Sequence, residues 1–175
     1  MKSRAETTVE YGLSLGSNLG DRLRNLRAAR DRVCALPGAA LLAQSRVYET
    51  EPVDVSAAYR DLAFLNAVLV VESGMPPRVL HARLHAIEAE LGRERSGDRN
   101  APRAIDIDLL YAGDLRVRDA VLTVPHARWA ERRFVVQPLA DVRPNRVLPG
   151  EPRTVREVLF ALPREPAVVP FAEEW

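Results

Sequence analysis

A two-layer α+β domain with a ferredoxin-like core is the fold class this sequence predicts: a mainly antiparallel sheet, helices on one face and an irregular C-terminal extension. Three observations lead there. Four strand-like segments and two amphipathic helical stripes follow one another in the order β, α, β, loop, β, α, β. Pro and Gly mark most of the boundaries between them. The length of 175 residues suits one domain with a core of its own. Residues 1–8 read as a polar lead and residues 9–175 as that single domain, with no internal repeat.

The first strand covers Val9 to Gly16, where Tyr11, Leu13 and Leu15 alternate with Gly12, Ser14 and Gly16. One face is large and apolar. The other is nearly bare, so a ligand or another backbone can approach it. A helix follows over 21–36, with Leu23, Leu26 and Val33 toward one side, Asp21 at its start and Pro37-Gly38 as its stop. Residues 41–50 read as one strand, and Glu51 to Leu62 as a long aperiodic loop of the functional kind. Phe64 to Glu72 is almost wholly apolar, interrupted by Asn66. A buried amide needs partners, so Asn66 is either a structural hydrogen bonder or a ligand reader. Pro76-Pro77 opens the second helix, Leu80, Leu84, Ile87 and Leu91 line it, and Gly92 ends it. Ala104 to Tyr111 is the fourth strand. Two short strand pieces over 115–124, short helices near 128–133 and 138–142, and a last helix over 154–162 complete the reading.

Composition excludes several classes. Lys plus Arg total 25, Asp plus Glu 24, and the net charge is +1, against the basic excess of a nucleic-acid binder. Ferredoxin-like RNA modules also present aromatics on their central strands, whereas Val68 to Val71 supply none. Only one of the basic residues is Lys. The single cysteine, Cys34, excludes an intrachain disulfide framework and a cysteine metal cluster. No apolar run is long enough to span a membrane, and the first ten residues lack a signal-peptide core. A cytoplasmic protein is expected.

The sharpest chemical signal is Arg103-Ala104-Ile105-Asp106-Ile107-Asp108. In a strand the two carboxylates share one face, about 7 Å apart at Cα. They repel unless a cation lies between them, and an oxygen-only pair suits a hard ion such as Mg²⁺, shared with substrate phosphates. The alternative is a solvent-facing strand edge. Just upstream, Arg93, Arg95, Arg99 and Arg103 crowd a short loop, matching phosphate forks, with a self-paired loop as the alternative because Glu94 and Asp98 dilute it. His81 and His85 are ordinary helix residues, lacking the acid and third ligand of a zinc site. His126, at a strand end before Arg128, Arg132 and Arg133, can bind phosphate or move a proton. Neither a Walker A motif nor Gly-x-Gly-x-x-Gly occurs.

These pieces together resemble the 6-hydroxymethyl-7,8-dihydropterin pyrophosphokinases of the folate pathway. The matching blocks are Leu15 to Asp21, Tyr48 to Pro52, Phe64 to Ala67, Ile87-Glu88 through Arg95, Pro102 to Asp108, Thr123 to His126 and Arg132 to Phe134. The resemblance implies transfer of pyrophosphate from ATP to the pterin hydroxymethyl group, releasing AMP. It implies two Mg²⁺ ions on Asp106 and Asp108, catalytic roles for Arg93, Arg95 and Arg103, and ATP contacts from Glu88, Arg93, Arg103, Leu122, Thr123, His126 and Arg132. It implies a pterin pocket of Gly16, Thr50, Pro52, Val53, Phe64, Asn66 and Phe134, and possible association with other folate-pathway enzymes. Asn100 and Ala127 stand where the family commonly has aromatics, and Val121 where some members have a basic residue. Another two-Mg²⁺ nucleotidyl transferase on a related fold is the second reading. It would release pyrophosphate.

Overall fold

The computed structural model describes residues 8–52, 59, 61–93 and 101–175. An antiparallel sheet runs through the middle. Strand β1 (Val9–Ser17) lies between β4 (Phe64–Ser73) and β5 (Asp106–Ala112). The far edge of β4 carries β2 (Ala40–Gln44) along one half and β3 (Val47–Thr50) along the other, and β8 (Val168–Ala172) closes on β3. The helices α1 (Arg22–Cys34) and α2 (Pro77–Glu90) cover one face. Tyr11, Leu13 and Leu15 meet Leu65, Leu69, Ile107, Leu26, Val33, Leu80 and Leu84 there, all essentially buried. The period-two reading of β1 and the helical stripes account for this core directly. Asp21 caps α1 by accepting from the Arg24 amide at 3.0 Å. Gly92, past the end of α2, has φ +86°, a conformation Gly takes without strain.

The C-terminal third is more ordered than its composition suggests, and the helices do not all lie on one face. Helices α3 (Arg133–Val142) and α4 (Val155–Ala161) add a further layer against the opposite face of the sheet. A 3₁₀ turn (Trp129–Glu131) precedes α3. The expectation of a helix starting at Pro138 is corrected: Pro138 sits inside α3, buried beside Val135, Val136 and Leu139. Burial of this apolar face outweighs the hydrogen bond that the proline cannot donate. Thr154 caps α4 in a reciprocal box with Glu157. Strand β8 lies in the stretch read as an irregular extension, and it carries Pro170. It is an edge strand, where proline is tolerated. The paired pieces β6 (Val117–Arg118) and β7 (Thr123–Val124) form the expected short ribbon.

Residues 41–50 are two strands rather than one. The break falls at Ser45-Arg46. The Ser45 carbonyl accepts from the Trp175 indole at 2.7 Å, and the Ser45 hydroxyl takes its place in the ladder, accepting from the Val68 amide at 2.8 Å.

The second sheet face explains where a site can form. On β4 it presents Phe64, Asn66, Val68 and Val70; on β1, Gly12, Ser14 and Gly16; on β5, Asp106 and Asp108. The β1–β5 register shifts between Gly12 and Leu13, so Leu110 has no Cα partner on β1, and Leu110 and Tyr111 both join the second core. The Tyr111 ring lies over Gly12, where a Cβ would stand 2.2 Å from Cε1. Thus α3, α4 and Tyr111 fill half of this face. The half bearing Ser14, Gly16, Asn66, Asp106 and Asp108 stays open.

Candidate active site

The open half is a cleft of about 360 Å³. Its walls include Ser14 and Gly16 from β1, Thr50 from β3, Phe64 and Asn66 from β4, and Asp106 and Asp108 from β5, with Arg103, Arg132 and Phe134 from flanking segments. Nine of the residues singled out from sequence therefore converge: Gly16, Thr50, Phe64, Asn66, Arg103, Asp106, Asp108, Arg132 and Phe134.

One end is charged. Arg93, just beyond α2, donates to both Glu88 and Asp106. The Arg103 Nε is 3.2 Å from the second Asp106 oxygen. Glu88 is buried at the sheet edge, where it also accepts from the Ile107 amide at 2.7 Å. One carboxylate therefore ties α2 to the strand between the two aspartates. Burial pushes the Glu88 carboxyl up to about 7, against the lowering effect of the Ile107 amide and Arg93. Among the described residues, no hydrogen bond or ion pair reaches the Asp108 carboxylate. Burial first, and then the charge of Asp106, push its carboxyl up to about 6 while Arg132, Arg93 and Arg103 oppose the rise.

The other end is flat and mostly uncharged. The Asn66 amide nitrogen donates to Thr50 Oγ1 at 2.8 Å, and both residues are buried. A Cβ at Gly16 would stand 3.4 Å from Asn66 Oδ1 and 3.8 Å from the Phe64 ring, so the glycine keeps this floor low. Arg103 lies 5.8 Å from the Phe64 ring centroid, and Arg132 lies 5.8 Å from that of Phe134. Arg103 thus spans the gap between an aromatic wall and Asp106.

Other expected residues stand apart. Leu122 is buried in the first core. Thr123 and His126 line a separate shallow depression with Arg116 and Gly150. The His126 amide donates to the Leu110 carbonyl at 2.8 Å, the bulged residue of β5, which docks the Val-Pro-His block next to the aspartate strand. Burial and the Arg132 charge lower the His126 pKa. Pro52 is not among the residues lining the cleft. Val53, Arg95 and Asn100 lie outside the described residues.

Sequence reasoning missed two features. Asn18 accepts from the Arg103 amide at 2.8 Å and returns its own amide to the Arg103 carbonyl at 3.2 Å, which fastens the segment before β5 to the end of β1. Leu162, Pro163, Pro166 and Val168 form a further wall. Nothing local in that proline-rich stretch signals it, because its position depends on where α4 ends.

Residues 12–144 match the family model described as 7,8-dihydro-6-hydroxymethylpterin-pyrophosphokinase. A 2-amino-4-hydroxy-6-hydroxymethyldihydropteridine pyrophosphokinase of Methylorubrum extorquens is 40% identical over 151 residues, covering 86% of this chain and 91% of that protein. Its counterpart in Pseudomonas aeruginosa is 37% identical over 153 residues, covering 87% and 91%. The mitochondrial folate synthesis bifunctional protein of Pisum sativum is 40% identical over 133 residues; these cover 76% of this chain and 25% of that longer one. Among solved structures, wild-type Plasmodium falciparum HPPK-DHPS with pterin and p-hydroxybenzoate is similar in fold. Its TM-score is 0.67 at 16% identity, covering 90% of this chain and 44% of that one.

Proposed function

The chain belongs to the 7,8-dihydro-6-hydroxymethylpterin-pyrophosphokinase family, and from that premise we propose that its cleft transfers pyrophosphate from ATP to the hydroxymethyl group of 6-hydroxymethyl-7,8-dihydropterin, a step of folate biosynthesis. The observation that carries this reading is the junction of two unlike halves. An aspartate pair ringed by Arg93, Arg103 and Arg132 meets a flat pocket of Gly16, Thr50, Phe64, Asn66 and Phe134. The first suits a triphosphate and the second a fused heterocycle.

The pterin edge carries alternating donors and acceptors. The Asn66 carbonyl is available to it while the amide nitrogen is held by Thr50. Phe64 and Phe134 supply ring faces. The hydroxymethyl oxygen then points toward Asp106 and Asp108. That oxygen bonds to the β-phosphorus, the bond from the β-phosphorus to the α–β bridging oxygen breaks, and AMP leaves with the bridging oxygen while the hydroxyl loses its proton. Arg93, Arg103 and Arg132 bind and orient the triphosphate, spreading charge from the transferring group. By resemblance alone we assign Arg95 to this set, Leu122, Thr123 and His126 to the nucleotide, and Pro52 and Val53 to the pterin.

The donor set also fits Mg²⁺. Asp106 and Asp108 are hard oxygen ligands on one strand face, and Asp108 is a half-buried carboxylate with no described side-chain hydrogen-bond partner. Two Mg²⁺ ions bound there would neutralise the triphosphate and favour the ionised hydroxymethyl oxygen. A cytoplasmic location fits this reading. The bifunctional relative of Pisum sativum supports association with a neighbouring enzyme of folate synthesis.

The test is a nucleotide balance. With ATP, Mg²⁺ and 6-hydroxymethyl-7,8-dihydropterin, AMP and the pterin diphosphate should accumulate in equal amounts. Release of inorganic pyrophosphate with a nucleotidylated pterin would favour the nucleotidyl-transferase reading instead. No pterin-dependent change in nucleotides would refute the proposal.

A further inference from the structure

We propose that residues 162–175 form an arm that builds one wall of the pterin half of the cleft, and that Arg133 and Trp175 are the positioning residues that set this wall. The inference rests on the reading of that half as the pterin site.

The arm begins where α4 ends. Leu162, Pro163, Pro166 and Val168 line the cleft, yet residues 163–167 are exposed and form no helix or strand. The arm has little internal means of holding a shape, so its anchors lie elsewhere. At its entry, Arg133 Nη1 reaches the carbonyls of Leu159 at 3.3 Å, Leu162 at 3.2 Å and Pro163 at 3.3 Å. Leu162 and Pro163 lie past the end of α4, so the helix offers their carbonyls no partner, and the Leu159 carbonyl shares Arg133 with the Leu162 amide. Arg133 is followed by Phe134, so one turn of α3 carries both the aromatic wall and the clamp on the arm.

At its exit the arm becomes β8, with Val168 opposite Thr50. Thr50 is the residue that holds Asn66. By itself β8 is a poor determinant of register. It is short, Pro170 brings no N–H opposite Tyr48, and the pairing shifts between Val47 and Tyr48. A slip of one residue would turn Val168 away from the cleft. Trp175 opposes such a slip. Its ring is buried, its indole N–H donates to the Ser45 carbonyl at 2.7 Å, and its own carbonyl accepts from Gln44 Nε2 at 3.2 Å and from Arg30. The Arg30 guanidinium lies 5.4 Å from the ring centroid. Gln44 and Ser45 sit where β2 gives way to β3, the strand that β8 must match, and Arg30 reaches in from α1. Trp175 therefore acts on the pterin pocket through register: it places β8, β8 places Val168 against Thr50, and Thr50 orients the Asn66 amide.

The experiment is steady-state kinetics on Trp175→Ala, Trp175→Phe and Arg133→Ala, varying pterin and ATP separately. The expected result is a rise in KM for pterin of about tenfold for Trp175→Ala and about fivefold for Arg133→Ala, with KM for ATP and kcat at saturating pterin within about twofold. Trp175→Phe keeps the ring and should recover part of the loss. A merely structural anchor would lower Tm and scale the active fraction with KM for pterin unmoved, and that result overturns the proposal. So does an equal rise in both KM values. If Trp175→Ala fails to fold, the equilibrium Kd of the pterin for Arg133→Ala and Trp175→Phe decides in the same sense. The wild type separates the two readings. A wild type without pterin-dependent AMP refutes the function, whereas an active wild type with unmoved variants refutes the arm alone.

Discussion

Asp108→Asn keeps the shape of the side chain and removes the charge that its surroundings oppose. In the fold, burial and Asp106 raise this carboxyl from an ordinary 3.8 to about 6. A raised carboxyl pKa means that the folded state binds the proton more tightly than the unfolded chain does. Its stabilising contribution is complete below the unfolded value and is lost as pH rises through about 6. At pH 7 the ionised group therefore costs the metal-free protein about 2–3 kcal/mol. The Asn variant escapes that cost. In the presence of a chelator its advantage should be absent near pH 3.5, grow between about pH 4 and 6, and level off above 7. For a domain of this size it corresponds to a melting temperature about 5–10 °C higher. Adding Mg²⁺ should raise the wild-type Tm by mass action and move the variant far less. Pterin-dependent AMP formation should fall about a thousandfold in the variant. Thermal denaturation across pH, with chelator and with Mg²⁺, reads all of this. A variant less stable than wild type at pH 7 in chelator would refute the reasoning, because Asp108 would then be a net stabilising partner. Near-normal turnover would refute its role in the site.

Two further outcomes follow from the packing behind the cleft. Gly12→Ala should destabilise by about 3 kcal/mol, the upper end for overpacking: the new Cβ meets the Tyr111 ring at 2.2 Å, and that ring is held by its hydroxyl donating to Glu10 at 2.8 Å and by Arg146 at 4.4 Å from its centroid. Urea denaturation of the double variant with Tyr111→Leu should show partial recovery, and simple additivity of the two losses would count against the contact. Glu10→Gln should flatten the acid limb of the stability curve. Burial raises Glu10, but hydrogen bonds from Arg143 and Tyr111 outweigh it and hold the carboxyl below 4.5. Its contribution is therefore present above that value and disappears as pH falls through the folded pKa. An acid limb unchanged by the substitution would show that this carboxylate is not linked to folding.

Much of the site was legible because it depends on short-range periodicity. Alternation alone puts Asp106 and Asp108 on one face of β5 and leaves the face of β1 bearing Ser14 and Gly16 bare. The near-continuous apolar run of β4 announces a strand buried on both sides, which makes Asn66 conspicuous. Pro77 and Gly92 mark helix ends through their own backbone preferences, and Asp21 through a bond closed three residues on. Where the reading went astray, a distant partner overrode a local rule. Pro138 reads as a helix start but lies mid-helix because Val135, Val136 and Leu139 bury the same face. The stretch after α4 reads as irregular but holds the edge strand β8. The segment 41–50 reads as one strand until the Trp175 indole takes the carbonyl of Ser45.

By itself, then, the sequence determined which residues share a face, where α1 and α2 begin and end, and that an aspartate pair stands beside arginines. Only the tertiary structure decided which half of the second sheet face would remain a cleft. The alternating pattern is the same in both halves. What differs is that α3, α4 and the Tyr111 ring pack over Gly12, Val68, Val70 and Leu110, leaving Ser14, Gly16, Asn66, Asp106 and Asp108 uncovered. Burial is decided by contacts between elements far apart in the chain, and periodicity within a strand carries no record of which of its neighbours will arrive.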